Sequence, residues 1–421
     1  MFMIDIFLYN VVYIKCDFSK LRYFDDQRMV LIGSSYCLNE LSVKNRCCFD
    51  AIYEISRDFH QIDLQEVEKI ILLYITKYGP KTIRLFTNED STQLVCAKLR
   101  EKYGIPGPRA DVLLPFVNKV VSKEMLGNVV KMPGYIKFDK FRYLEDKDRY
   151  LSNVKEKLRF PMFVKPLDLV SSVETHYIAD MDALKIIAEK IVAHAYEFEI
   201  DEFIDGDLFH CDAMIINGSV KFFMIGKCSF ALARFFDGKA VGSIPILDKK
   251  IFADLRAFCD KVFETLYCPS GAYHLEAFFD KKAQQFIFLE IGARTGGALI
   301  TKVYERLYDL NLEETNYLIQ MKLIDRVKTA NKNMFAGFLN FPKIPGKVLT
   351  ITKPPLTIEN EFIEFVKPGD KLEQAKNLLD ISASIIFWDE SYQKVESAFE
   401  YLKNYNPLKM VVHPAEVVIK D

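Results

Sequence analysis

The chain reads as a multidomain assembly of α/β and α+β units, and three observations carry that reading. Over residues 1–115, short apolar strands alternate with amphipathic helices, the pattern of a small parallel sheet. The middle of the chain runs in long stretches of alternating apolar and polar residues, with Asn217-Gly218 a strong hairpin turn between two of them. Residues 331–421 turn β-rich again, punctuated by Pro342, Pro345-Gly346, Pro354-Pro355 and Pro368-Gly369. With 421 residues, 50% of them hydrophobic, the chain has ample material for several cores.

Taken in order, Ile4 to Ile14 and Arg28 to Ile32 are strand-like. Leu64, Val67, Ile70, Ile71 and Tyr74 carry helical spacing, and Gly79-Pro80 ends that helix. Thr82 to Thr87 is a strand, and Ser91 to Tyr103 a helix closed by Gly104. Asn118-Lys119 opens a helix that runs through Leu126, and Met132 to Tyr135 is a turn. Phe163 to Pro166 is a strand with one lysine, Lys165, near its end; a polar stretch from Asp168 to Thr175 with Ser171-Ser172 follows it. Met181 to Ala195 is helical. Phe198 to Ile204 is a strand carrying Glu199, Asp201 and Glu202, and Asp205-Gly206-Asp207 ends it. Phe209 to Ile216, Val220 to Ile225 and Lys227 to Ala233 continue as antiparallel strands. Helix Lys249 to Leu266 leads to a hairpin, and helix Lys302 to Met321, broken near Asn311, follows it. Strands at Phe362 to Val366 and Ile381 to Trp388 and a helix from Ser391 to Asn404 make a small C-terminal α+β unit, expected to cover the active site or a dimer face.

The hairpin holds the chemistry. Its arms, Tyr273 to Phe279 and Phe286 to Ile291, both alternate around a polar turn. A turn centred near Ala283 sets Glu276 opposite Glu290, with Cβ atoms about 5 Å apart, where like charges repel. Leu275, Ala277 and Phe279 would share the other face with Ile287, Leu289 and Ile291. Two carboxylates held together call for a cation, and hard oxygen ligands suit Mg2+ completed by phosphates. Arg294 follows, and Gly296-Gly297 opens the backbone beyond it. The hairpin alone is equally compatible with a solvent-facing strand pair in which Arg294 pairs with one glutamate.

Several classes are excluded. A net charge of −2 with scattered lysine and arginine argues against a nucleic-acid binder. Nine cysteines without a C-x-x-C pair read as free thiols in a reducing compartment. No run reaches the roughly 18 apolar residues of a membrane span, and the first residues lack the features of a secretory signal. A cytoplasmic protein with no membrane or nucleic-acid partner is expected. Neither a Rossmann fingerprint nor a Walker loop is present, so residues 1–115 show no chemistry of their own.

The order of these pieces resembles the ATP-grasp superfamily, most clearly its L-amino-acid ligase and carnosine synthase branch. The resemblance is strongest from Asn118 to Ile300, and His274-x-Glu276 with the run Leu289 to Gly297 is its most specific part. It implies a pre-ATP-grasp domain over 1–115, an ATP-grasp domain over 116–330 with a lid at about 160–226, and a C-terminal domain over 331–421. It also implies roles. Lys119 and Lys165 would contact ATP phosphates, with Ser171 and Ser172 in the covering loop. The Asp201, Glu202, Phe203 and Ile204 segment would receive adenine through backbone groups. Glu276 and Glu290 would hold Mg2+, or Mn2+ in its place. Arg294 would sit over the transferred phosphoryl group, and His274, Gly296 and Gly297 would border the acceptor site, with Lys227 a weaker candidate there. The implied reaction joins a small-molecule carboxylate to an amine through an acyl phosphate, in a chain that forms a homodimer if its C-terminal face serves that end. Alternatives are a nucleotide-binding regulatory protein without turnover and a ligase with a different nucleophile. Three positions depart from the pattern: the loop 168–174 has no glycine, Leu208 stands where a ribose-binding glutamate is common, and Gly292 where an asparagine is frequent.

Overall fold

The computed structural model describes residues 2–411 except 59, 61 and 328. Its first sheet is parallel, in the order Ala51–Ile55, Gln27–Ser34, Met3–Tyr9, Ile83–Thr87. Alternation splits its central strand between two cores: Ile4, Ile6 and Leu8 face one, Phe7 and Tyr9 the other. Helix Leu64–Tyr78 packs on the first face, with Asp63 accepting from the amides of Gln65 and Glu66 as its N-cap. The strand expected to reach Ile14 stops at Tyr9. Beyond it the amides of Val11 and Val12 donate to Glu89 Oε2, and that of Lys15 donates to Glu313 Oε2. Buried backbone donors need a partner, and here carboxylates replace a neighbouring strand.

The central sheet has eight antiparallel strands. Their order is Gln285–Gly292, Gly271–Asp280, Asp207–Ile216, Ser219–Cys228, Val241–Pro245, Phe335–Pro342, Ile381–Asp389, Glu359–Glu364. Helix Lys249–Thr265 covers one face through Leu255, Cys259 and Val262. Helices Ile300–Tyr308 and Leu312–Gln320 cover the other through Val303, Leu307 and Ile319. The break near Asn311 is real: Asp309 takes a left-handed backbone and Asn311 caps the second helix. The strand expected from Lys227 to Ala233 is absent as such. Lys227 and Cys228 end the preceding strand, and Leu232–Asp237 is a 3-10 turn.

Two expected divisions cut across hydrogen-bonded structure. The small lid-like sheet, in the order Tyr135–Lys137, Phe198–Glu202, Met162–Pro166, His176–Ile178, ends at Glu202. Asp207–Ile216 and Ser219–Cys228 lie in the central sheet, because the first of them pairs along its length with Gly271–Asp280. Past residue 330, three strands extend that same sheet, with Leu339, Ile385 and Phe387 sharing a core with helix Tyr392–Leu402. Among the described residues past 330, a three-stranded sheet of Lys371–Leu372, Gly346–Ile351 and Leu408–Val411 stands apart from it. Among the described residues every cysteine is a free thiol, and no helix is long and apolar enough to cross a membrane.

Candidate active site

The lid-like sheet, the central sheet and the segments that follow two strands of the parallel sheet line one cavity of about 340 Å3. Every residue given a role in the site from the sequence lines it except Lys227. Lys227 lies on a strand whose next residue, Cys228, faces the cavity; alternation turns the lysine away, and its Nζ pairs with Asp207 Oδ2 at 3.1 Å. Asp207 also pairs with Lys281 at 2.8 Å, while Leu208 lines the cavity.

Glu276 and Glu290 are direct cross-strand partners. The hairpin reaches that register through a bulge: Ala277 pairs with Phe288, so Leu289 is the extra residue. The core face of the second arm is therefore Phe286, Phe288 and Ile291 rather than Ile287, Leu289 and Ile291. Consecutive residues Leu289 and Glu290 both face the cavity as a result.

The like-charge pair is not left to itself. Burial pushes the Glu290 carboxyl up, but Lys119, Lys165 and Arg294 outweigh it and hold the group below the usual carboxylate range. Lys119 is the first residue of helix Lys119–Leu126, which Asn118 caps by accepting from the amides of Val120 and Val121. Its Nζ lies 3.7 Å from Glu290 Oε2 and donates to the Leu169 carbonyl at 2.8 Å.

Lys165 is buried in a four-membered ion cluster. Its Nζ lies 3.0 Å from Asp201 Oδ2 and 3.4 Å from Glu199 Oε1. Lys123 completes the cluster from the other side, 2.6 Å from Asp201 and 3.0 Å from Glu199. Burial pulls the Lys165 ammonium down, but Asp201, Glu199 and Glu290 more than offset it, so its pKa stands above the ordinary lysine value. Asp201 is thus committed to two lysines rather than free for a base. In the segment after it, the Glu202 amide donates to the Gly134 carbonyl and the Phe203 amide to that of Pro161.

The glycine-free loop takes the backbone that glycine would favour. Ser171, Ser172 and Glu174 have φ of 58°, 55° and 53°, an uncommon region for such residues. The loop is tied at several points: Leu378 donates its amide to the Ser171 carbonyl at 3.0 Å, and Asp168 lies 3.2 Å from His60 Nδ1.

Arg294 hydrogen-bonds through Nε to Asp90 and through an η nitrogen to the Thr295 carbonyl. Asp90 is the first residue of helix Asp90–Tyr103, and Asn88-Glu89 join it to the strand Ile83–Thr87 of the parallel sheet. Asn88 accepts from the Thr295 amide at 3.1 Å and donates to the Thr295 hydroxyl at 2.8 Å. The unit expected to be chemically silent therefore docks on the segment that carries the arginine. Glu89 is almost wholly buried, and burial pushes its pKa up to about 7. A carboxyl whose folded pKa exceeds its unfolded value stabilises the fold most at low pH, and that contribution is lost as pH rises from about 4.5 through 7. In urea unfolding, Glu89→Gln should lose less stability across that window than the wild type, by on the order of 3 kcal/mol, while Glu313, which burial also raises to about 7, keeps its share in both.

His274 belongs to a buried network centred on Asp212. Its Nδ1 lies 2.8 Å from Asp212 Oδ1, and its Nε2 lies 3.4 Å from Glu276 Oε1. His210 reaches Asp212 Oδ2 at 2.7 Å and Ser243 Oγ at 2.7 Å, and the Tyr304 hydroxyl donates to Asp212 at 2.7 Å. Burial pulls the His274 imidazole down, yet Asp212 raises it to about 9, so the ring is cationic at neutral pH. Gly296 is required by this packing: a Cβ there would come 2.8 Å from Asp212 Oδ1.

Lys15, Asp90, Lys123 and Asp212 were not anticipated from the sequence. Two of them left a trace. Asn88-Glu89-Asp90 is a polar triplet at the carboxyl end of a parallel strand, where α/β sheets place ligands. His210-x-Asp212 repeats the alternation of His274-x-Glu276 on the neighbouring strand.

The chain is similar to several known proteins. A family model described as the D-ala D-ala ligase C-terminus matches residues 127–303. The L-arginine-specific L-amino acid ligase of Bacillus subtilis is 24% identical over 376 residues, covering 87% of this chain and 85% of that protein. The crystal structure of an L-amino acid ligase from Bacillus licheniformis superposes with a TM-score of 0.71 at 16% identity, covering 98% and 99% of the two chains. The biotin carboxylase domain of Hydrogenobacter thermophilus 2-oxoglutarate carboxylase, solved with MgADP, ADP and bicarbonate, gives a TM-score of 0.64 at 15% identity over 97% of this chain and 91% of that one. These likenesses give the chain the ATP-grasp fold. Over nearly its whole length the chain is similar to the two L-amino acid ligases.

Proposed function

We propose that the cavity joins a carboxylic acid to an amine at the expense of ATP, through an acyl phosphate, with amino acids or short peptides as substrates. One observation carries the reading: the opposed pair Glu276 and Glu290 shares a single cavity with Lys119, Lys165 and Arg294. Phosphoryl transfer asks a protein mainly for positioning and charge neutralisation, and this set supplies both without a protein nucleophile.

Lys119 and Lys165 bind phosphate oxygens as point charges. Lys119 first gives up the Leu169 carbonyl, which links phosphate binding to movement of the loop above it. Lys165 keeps its charge through Asp201 and Glu199. With the amides of Glu202 and Phe203 already used, the Ile204 amide is the group that meets the adenine edge. Glu276 and Glu290 present hard oxygen donors into the cavity, a set that fits Mg2+ or Mn2+; such an ion, when bound, neutralises the triphosphate. Arg294 keeps its guanidinium plane fixed through Asp90.

A carboxylate oxygen of the acid attacks the γ-phosphorus; the bond to the bridging oxygen breaks and ADP departs. The amine nitrogen then attacks the acyl carbon. Arg294 stabilises the oxyanion of the tetrahedral intermediate, the C–O bond to phosphate breaks, and the nitrogen loses a proton to leave the amide. ATP offered with pairs of amino acids should therefore release ADP and phosphate in step with amide. ATP binding without release for any acid and amine would instead favour the regulatory alternative.

A further inference from the structure

We propose that Lys15 reads a second carboxylate, one that is not activated in the reaction, so that one substrate carries a carboxylate beyond the one consumed. The inference rests on the ligase reading of the site. Lys15 lies in the irregular segment after the first strand, and its backbone is clamped on both sides by the start of helix Leu312–Gln320. Its amide donates to Glu313 Oε2 at 2.9 Å, and Asn311 Nδ2 donates to its carbonyl at 2.9 Å. From that fixed base the side chain lines the same cavity as Arg294. Its ammonium meets the Gly296 carbonyl at 3.5 Å, the outer limit of a hydrogen bond, two residues past Arg294. Among the described residues no acidic side chain forms an ion pair with it.

Burial lowers the Lys15 pKa to about 8, against the pull of the nearby Glu313. A desolvated cation with one marginal acceptor is a poor structural element and a good receptor for an anion. The other cations already have work. Lys119 and Lys165 gather at Glu290, Arg294 is committed to Asp90 and the reacting group, and His274 is paired with Asp212. The activated carboxylate is neutralised as it becomes an acyl phosphate, so it needs no further lysine. A spectator carboxylate does. It can be the α-carboxylate of an amino-acid acceptor or the side-chain carboxylate of a dicarboxylic donor.

Two arms distinguish these sources. In the acceptor arm, KM is compared for alanine and alaninamide with a fixed donor. In the donor arm, glutamate and glutamine are compared with hydroxylamine as acceptor, the hydroxamate being measured. Wild-type enzyme should favour the carboxylate-bearing member of at least one pair by about tenfold or more, the scale of a lost desolvated charge contact. Lys15→Ala should bring that ratio to about one, and Lys15→Arg should retain most of it; Lys15→Met serves if the alanine variant melts early. The assignment is overturned if neither ratio depends on Lys15, or if its loss abolishes hydroxamate formation from every acid alike. Wild-type protein that makes no hydroxamate from any acid would remove the ligase reading and this assignment with it.

Discussion

Glu290→Gln should lower ATP-dependent amide formation by about a thousandfold or more, the scale seen when charge stabilisation is removed from a reacting centre. The glutamine keeps the shape of the side chain but loses the anionic oxygen aimed into the cavity. The unliganded protein should lose only a few degrees in melting temperature. That small loss has a physical source. The sequence suggests two like charges in costly contact, in which case removing one should leave the fold as stable or more so. In the structure Lys119, Lys165 and Arg294 surround Glu290, so removing its charge also strips a counter-ion from three cations. Initial rates with paired thermal melts test this. Near-normal turnover, or a collapse of the unliganded fold, would show that Glu290 is structural.

Asp212→Asn should have the largest effect on stability. The carboxylate accepts from His210, His274 and Tyr304 at 2.7 to 2.8 Å, and His274 and His210 hold its pKa well below the usual range despite burial. Removing one partner from a buried charge network leaves the rest uncompensated, at a cost of about 3–5 kcal/mol. A pronounced drop in melting temperature is expected, with His274 returning toward an ordinary imidazole pKa. The ring pKa is measurable by NMR, and a value still near 9 in the variant would show that Asp212 is not what holds the proton.

Much of the site was legible because it obeys local rules. Asn118 before Lys119 is an N-cap signal, and the polar turn between two apolar arms marks the hairpin that brings Glu276 and Glu290 onto paired strands. What escaped reading depends on contacts between distant segments. The bulge at Leu289 turns two neighbours the same way, and nothing in the run of apolar residues marks it. Asp90 and Lys15 enter the cavity only because the parallel sheet docks against Thr295 and the start of helix Leu312–Gln320. The central sheet runs past residue 330 for the same reason: strand pairing across about a hundred residues of chain leaves no local pattern. Ser171, Ser172 and Glu174 show the converse, since the absence of glycine did not prevent a left-handed backbone.

The acyl phosphate is the central claim, and the fate of the acid's oxygen tests it most directly. With the substrate carboxylate labelled with 18O and turned over with ATP and an amine, one labelled oxygen should appear in inorganic phosphate, visible by 31P NMR, with ADP formed in equal amount. Label appearing in AMP, or phosphate released without label, would contradict the account.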